Sequence, residues 1–470
     1  MNPYQDDIGR ILVSAQRIAL SYYCRVNKLT QPLFLFLLII LLLCGCAARR
    51  PLMGTSIARQ FENALQSPNV IVYPPELPEV RAWGNQKNDA FQKSMLDSFD
   101  QELQSGEMTK EINVLALSGG GDDGAYGAGF LCGLHHQNKL PRFKLVTGIS
   151  TGAMIAPFAF VGDDCCFQIL SNLYTQIKPV QIFKFKSPFK LFRTDSVADT
   201  RPLQKMIERY VDEELVRKIA LEHQKGRRLY IQTTSLDAQR PVIWDIGAIA
   251  TNVVSDNMDT PVSKSKIQLI RNIMLASAAI PVFFPPVYIN SRFSTNTSNS
   301  ISQTNTIAPV FPEMHVDGGV ANQIFVTGGV LDLQEIKKRI DRDNRQLNVY
   351  VIRNGRLHPE PKLVYPTLVK IATRSSTTIT KYDAAADIFR IATLVQTLGG
   401  NFHLQFIPSD FKKESKRMFD TEYMRTLFML GCQQANSQKP WLDKLPEEFH
   451  YGLYSEKFKK DASESGTRKN

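Results

Sequence analysis

At 470 residues, 43% of them hydrophobic and 21% charged, the chain is long enough to bury a large core and too apolar for disorder to be its default state. Its formal charge of +11, from 56 Lys and Arg against 45 Asp and Glu, suits an anionic surface, but the basic residues are spread out, with no zinc-finger spacing and no basic-region helix, which argues against nucleic acid as a partner. The seven cysteines (Cys24, Cys44, Cys46, Cys132, Cys165, Cys166, Cys432) show neither metal-site spacing nor a disulfide framework, so adjacent Cys165 and Cys166 read as small core hydrophobes.

In chain order, the first feature is the run LFLFLLIILLLC at 33–44, preceded by Arg10, Arg17, Arg25 and Lys28 and followed by Gly45-Cys46-Ala47-Ala48. A basic leader, an apolar run shorter than the roughly 20 residues that span a bilayer, and small residues after it read as a secretory signal. Leu43-Cys44-Gly45-Cys46 resembles the bacterial lipobox. That resemblance implies removal of residues 1–45, acyl chains on Cys46, and anchoring in the cell envelope, with Ala47 favouring the outer membrane. The leader is unusually long, so an uncleaved anchor is the alternative. Residues 46–108, with Pro74, Pro75 and Pro78 among polar runs, read as a tether with a short structured lead-in.

From residue 109 the pattern changes. Ile112–Leu117 suits a buried strand, Ala125–Leu134 a helix, Phe143–Thr147 a second strand and Ala153–Phe160 a second helix, which together imply a βαβ unit and a mainly parallel sheet. Further strands are predicted at Arg228–Thr234, Val242–Ile246 and Asn348–Ile352, and a helix over Ile267–Ala279, stopped by Pro281. The Ser/Thr/Asn-rich stretch 291–306 reads as an inserted surface loop. The FKFKSPFKLFR stretch at 183–193 reads as an amphipathic segment with phenylalanines toward the core, or else as a lipid-facing one. The expected organisation is a catalytic domain over 109–355 and a helical C-terminal region over 356–470, whose end from Ser455 is a charged tail.

Three pieces carry chemistry. Ser118-Gly119-Gly120-Gly121-Asp122-Asp123-Gly124 sits between a strand and a helix, where glycines let backbone amides face a phosphate or a developing oxyanion. It lacks the Lys-Ser/Thr of a P-loop, and its two aspartates would repel phosphate. Gly148-Ile149-Ser150-Thr151-Gly152 follows a strand and opens a helix, the setting of a nucleophile elbow. His315-Val316-Asp317-Gly318-Gly319 places an aspartate at a strand end. In a parallel sheet the strand C-termini share one edge, so the three loops can converge. Of the seven histidines only His315 stands out, because at two residues from Asp317 it would share that residue's face of a strand.

Gly119–Gly124, Gly148–Gly152 and Asp317-Gly318-Gly319, with Leu275-Ala276-Ser277-Ala278-Ala279-Ile280-Pro281 between the last two, resemble in order the signatures of patatin-like phospholipases over about residues 111–355. The resemblance implies a three-layer α/β/α fold with a mainly parallel central sheet, here with a C-terminal helical extension. It also implies a Ser150–Asp317 dyad that needs no histidine, an oxyanion hole from Gly119, Gly120 and Gly121, and supporting roles for Gly124, Gly148, Gly152, Gly318 and Gly319. No cofactor or metal is called for, and the lipid of a membrane is both substrate and anchor; an activating protein partner stays open. One departure is Asp123, which stands where the family usually carries Arg or Lys. Two rival readings are a lipid-binding or scaffolding lipoprotein with a decayed site and an esterase that uses His315 or a distant histidine.

Overall fold

The computed structural model describes residues 54–67, 69–187, 194–253, 263–294, 309–327 and 329–446. The signal-like segment with Cys46, most of the phenylalanine-rich stretch (188–193), the loop 295–308 and the tail lie outside the described residues. Residues 53–185 and 198–470 group as one compact unit. Residues 186–197 group with 1–52 as another, in whose described part Lys186 Nζ donates to Ser196 Oγ at 2.7 Å.

The large unit begins with helix α1 (Thr55–Leu65), strands β1 (Ile71–Tyr73) and β2 (Arg81–Trp83), and α2 (Asp89–Gln104). Then β3 (Glu111–Leu117), α3 (Gly124–His136), β4 (Leu145–Gly148) and α4 (Thr151–Val161) alternate, as predicted. Helices α5 (Asp164–Thr175), α6 (Arg201–Tyr210) and α7 (Glu213–Gln224) lead into the hairpin β5 (Arg228–Ser235) and β6 (Arg240–Asp245). Next come α8 (Ile246–Val253), α9 (Lys264–Ser277), β7 (Val287–Ser294) and β8 (Phe311–Asp317). The chain closes with α10 (Leu333–Arg342), β9 (Gln346–Arg356), α11 (Leu368–Thr397), β10 (Asn401–Ile407) and α12 (Thr421–Ala435). Asn88, Asp163, Asp212, Asp332 and Asp420 each accept a first-turn N–H and so start α2, α5, α7, α10 and α12.

These ten strands form one mixed sheet. Its centre, in the order β10-β9-β3-β4-β5, is parallel, and β6, β8, β7, β1 and β2 extend it antiparallel. The period-2 alternation of the strands divides the interior into two cores. Ile112, Val114 and Ala116 of β3 point with Val349 and Val351 of β9 into the core covered by α2, α10 and α11. Leu115, Leu117 and Ile352 point the other way, into the larger core that holds α3, α4, α5, α7, α9 and α12. The result is the expected three-layer α/β/α arrangement.

Three expectations about boundaries are corrected. Residues 54–108 are folded lead-in rather than tether: Arg81 of β2 forms a fully buried bidentate pair with Glu313 of β8 at 2.6 and 2.9 Å, and Phe91 and Phe99 of α2 are core residues. The region after residue 356 is not all helical, because β10 joins β9 in parallel register. Its apolar residues, Leu404 and Phe406 against Ile407, alternate between the two cores behind the turn Gly399-Gly400. The Ser/Thr/Asn stretch also starts later than expected, since residues 291–294 complete β7.

Candidate active site

Ser150 lies between β4 and α4 with φ 55° and ψ −120°, a backbone conformation that costs a non-glycine residue energy and that holds its side chain out of the turn. The turn is possible because its flanks are bare: a Cβ on Gly148 would sit 2.5 Å from the Gly152 carbonyl, and one on Gly152 would sit 2.4 Å from that of Leu117. The Asp317 carboxylate accepts the Gly319 N–H at 2.7 Å and lies close enough to Ser150 for the serine hydroxyl to lower its proton affinity. Both residues are 6% exposed. Burial pushes the Asp317 carboxyl up to about 6, against Ser150 and Gly319, which pull it down.

The way these residues meet differs from the expectation of parallel strand ends on one edge. β4 pairs with β5 over Arg228–Ile231, and β8 takes over the same edge of β5 from the opposite direction over Thr233–Ser235. The C-terminal ends of β4 and β8 therefore approach head to head, with Gln232 at the gap. Ser277, at the end of α9, fills the gap: its Oγ donates to the Gln232 carbonyl at 2.7 Å and accepts the Ser150 N–H at 3.0 Å. Two residues on, the Ala279 carbonyl accepts the Asp317 N–H at 3.0 Å. The Leu275–Pro281 block thus holds the backbone of both candidate catalytic residues. Ser277→Ala removes both bonds of a fully buried hydroxyl. It is expected to cost about 1–3 kcal/mol of stability and to lower kcat with little change in KM, read from chemical denaturation and steady-state ester hydrolysis.

The glycine loop packs directly against the nucleophile, since a Cβ on Gly119 would lie 3.3 Å from Ser150 Cβ. Gly119 does not offer the N–H expected of it, which donates to the Gln323 carbonyl at 3.2 Å. The N–H groups of Gly120, Gly121 and Thr151 have no protein acceptor among the described residues. The loop is braced from β9. Arg353 Nη1 and Ser118 Oγ both donate to the Gly119 carbonyl, at 3.0 and 2.6 Å. Asn354 donates to Ser118 Oγ and to the Ser118 carbonyl, and its own carbonyl passes where a Cβ on Gly120 would be, 1.9 Å away. Any side chain at 120 would push the loop off β9.

Asp122 and Asp123 do not face an incoming anion. Asp122 accepts the Phe419 N–H and the Ser415 hydroxyl, both at 3.2 Å, and Asp123 accepts the Tyr423 hydroxyl at 2.6 Å. Burial and then the Asp122 charge push Asp123 up to about 6, opposed by the Tyr423 bond, Arg356 and Arg353. His315 shares the face of Asp317 but turns away from Ser150: its Nδ1 lies 3.0 Å from Thr233 Oγ1 and its Nε2 3.1 Å from Glu313. Arg353, Ser277, Gln323 and Tyr423 had no assigned role in the sequence, because no local motif marks them. Apolar side chains adjoin the loop: Phe183 packs on Phe284 and Phe419, while Phe185 and Val282 nearby are 66% and 71% exposed. Among the described residues no cluster of His, Cys, Asp and Glu could hold a metal, and no helix is long and apolar enough to cross a membrane.

Residues 115–328 match the model of the patatin-like phospholipase family. No curated protein is matched by the sequence. Among solved structures, the chain is similar to VipD from Legionella pneumophila, with 11% identity over 70% of this chain and 67% of that one and a TM-score of 0.26. It is similar to human GIVD cytosolic phospholipase A2 with 11% identity over 73% and 56% (TM-score 0.25), and to the type III effector protein ExoU with 13% identity over 69% and 53% (TM-score 0.24). The alignment thus spans only a little over half the length of the last two.

Proposed function

We propose that this chain, a member of the patatin-like phospholipase family through residues 115–328, is a lipid acyl hydrolase in which Ser150 is the nucleophile and Asp317 its base. The observation that carries the proposal is the strained turn that sets Ser150 beside the buried Asp317 carboxylate, whose proton affinity the serine lowers, while His315 is engaged by Thr233 and Glu313. Ser150 Oγ attacks the ester carbonyl while its proton passes to Asp317. The oxyanion forms against the unpaired N–H groups of Gly120 and Gly121, with Thr151 beside them. The tetrahedral intermediate collapses to acyl-Ser150, and the proton on Asp317 goes to the leaving alkoxide. Water, deprotonated by Asp317, then releases the fatty acid and restores the serine. The exposed apolar side chains of Phe185 and Val282 suit acyl chains.

Labelling with a fluorophosphonate probe tests the nucleophile: the intact chain is expected to label and to release fatty acid from phospholipid, and Ser150→Ala to do neither. Absence of labelling in the folded chain would favour the lipid-binding reading. The base sets the pH profile. Asp317 must be ionised to take a proton, so kcat/KM for a soluble ester is expected to fall about tenfold per pH unit below about 6 and to level off above it. A profile flat from pH 5 to 8 would move the base elsewhere. A tether through Cys46 in the outer membrane of a bacterial envelope belongs to the same proposal and rests on residues 33–48. Loss of metabolically incorporated palmitate on Cys46→Ser tests it.

A further inference from the structure

A second surface has chemistry that the dyad does not use. Leu363, Tyr365, Leu368, Val369 and Ile379 are 97%, 78%, 86%, 71% and 62% exposed, far beyond the scattered apolar residues of an ordinary surface. They lie on the first half of α11 and the segment leading into it. The same helix buries one face from Ala384 onward, through Asp387, Ile388 and Ile391. The uncovered half, Leu368–Asp383, is about 24 Å long at 1.5 Å per residue.

This half is amphipathic. At 100° per residue, Leu368, Ile371, Ala372, Ile379 and Tyr382 fall on one stripe, and Lys370, Arg374 and Lys381 fall on the opposite side. From Pro361 to Asp383 the chain holds four cations, Lys362 among them, against the single carboxylate of Asp383. Glu360 and Glu414 brace the segment from outside it, pairing with Lys381 and Lys362. An apolar stripe with aromatic and aliphatic residues, backed by Lys370, Arg374 and Lys381, matches the boundary of a bilayer with anionic headgroups.

We infer that the projecting half of α11 docks on an anionic phospholipid surface. The buried half ties this element to the site: Asp387 accepts the N–H groups of Gln323 and Ile324 at 2.7 and 3.0 Å, and Gln323 in turn bonds Gly119 and Gly319. Docking therefore sets the position of the oxyanion loop and of Asp317 relative to the membrane. The inference deepens the reading of the site as a lipid hydrolase and rests on it for the purpose of docking, though not for the docking itself.

A photoreactive benzophenone side chain placed at Leu368 in the full chain, mixed with vesicles of equal phosphatidylcholine and phosphatidylglycerol, gives the direct test. The expected result is a lipid adduct at position 368, at least fivefold more abundant than from the same group at Thr377 on the opposite side, and reduced on phosphatidylcholine alone. A crosslink to a second copy, or equal adducts at both positions, overturns the inference. In parallel, the double variant Leu368→Glu/Ile371→Glu is expected to lose at least tenfold in hydrolysis of vesicle lipid and to keep its hydrolysis of a soluble p-nitrophenyl ester; undiminished vesicle hydrolysis overturns it. Failure of the unaltered chain to cleave the soluble ester would count against the dyad, while the photoadduct would still decide the helix.

Discussion

Asp317→Asn is expected to lower ester turnover by about 10³–10⁴-fold while making the protein more stable at pH 8. The asparagine keeps the size of the side chain and can still accept the Gly319 N–H, but it cannot take the proton of Ser150. The gain in stability follows from the raised carboxyl. Its pKa is about 6 in the folded chain and near 3.8 unfolded. Between those values the native state holds a proton that the unfolded state has lost, so stability falls as pH rises through this window and the full cost is present above about pH 6. Removing the charge should return about 1–3 kcal/mol at pH 8 and nothing below pH 3.8, where both states are neutral. Thermal unfolding of the two proteins at pH 8 and pH 3.5, with fluorophosphonate labelling alongside, measures both effects. Unchanged melting at pH 8 would mean that the carboxylate is not held at a cost. Persistent turnover would direct attention to His315, although its bonds to Thr233 and Glu313 oppose that role.

The parts of the site that could be read in the sequence are those fixed by local backbone demands. The turn at Ser150 needs small residues on both sides, the loop at 119–121 needs glycines where β9 passes, and Asp317 needs the Gly319 N–H two residues on; each leaves a short contiguous pattern. The parts that could not be read depend on which strands become neighbours. Ser277 acts because β8 runs into the end of β4 along β5, an arrangement that no periodicity in 311–317 announces. Strand β10 was hidden for the opposite reason: it is short and lies between two long helices whose periodicity dominates the region. The aspartates of the glycine loop read as a departure from the family because their partners, Ser415, Phe419 and Tyr423, lie some 300 residues away and outside the matched segment.

That distant bracing also answers what replaces the missing Arg or Lys at position 123. Arg353, buried on β9, donates to the Gly119 carbonyl and lies close enough to Asp123 for each to shift the other's proton affinity. In a trans peptide the carbonyl of one residue and the N–H of the next point in opposite directions. Holding the Gly119 carbonyl toward Arg353 therefore aims the Gly120 N–H away from it, in the direction an oxyanion donor requires. Arg353→Met is expected to release this peptide and lower kcat by about 10²–10³-fold, the range for loss of one oxyanion donor, with a much smaller change in KM. It should also destabilise the fold by about 1–3 kcal/mol, because the Gly119 carbonyl loses a charged donor and the buried Asp123 keeps only Arg356 of its two nearby cations. A second substitution separates the two effects. In Arg353→Met/Asp123→Asn the buried charge is gone, so part of the stability should return while turnover stays low; Arg353→Lys, which keeps a point charge but not the planar fork, should fall between. Turnover that recovers together with stability in the double variant would show that Arg353 serves only to neutralise Asp123 and does not orient the loop.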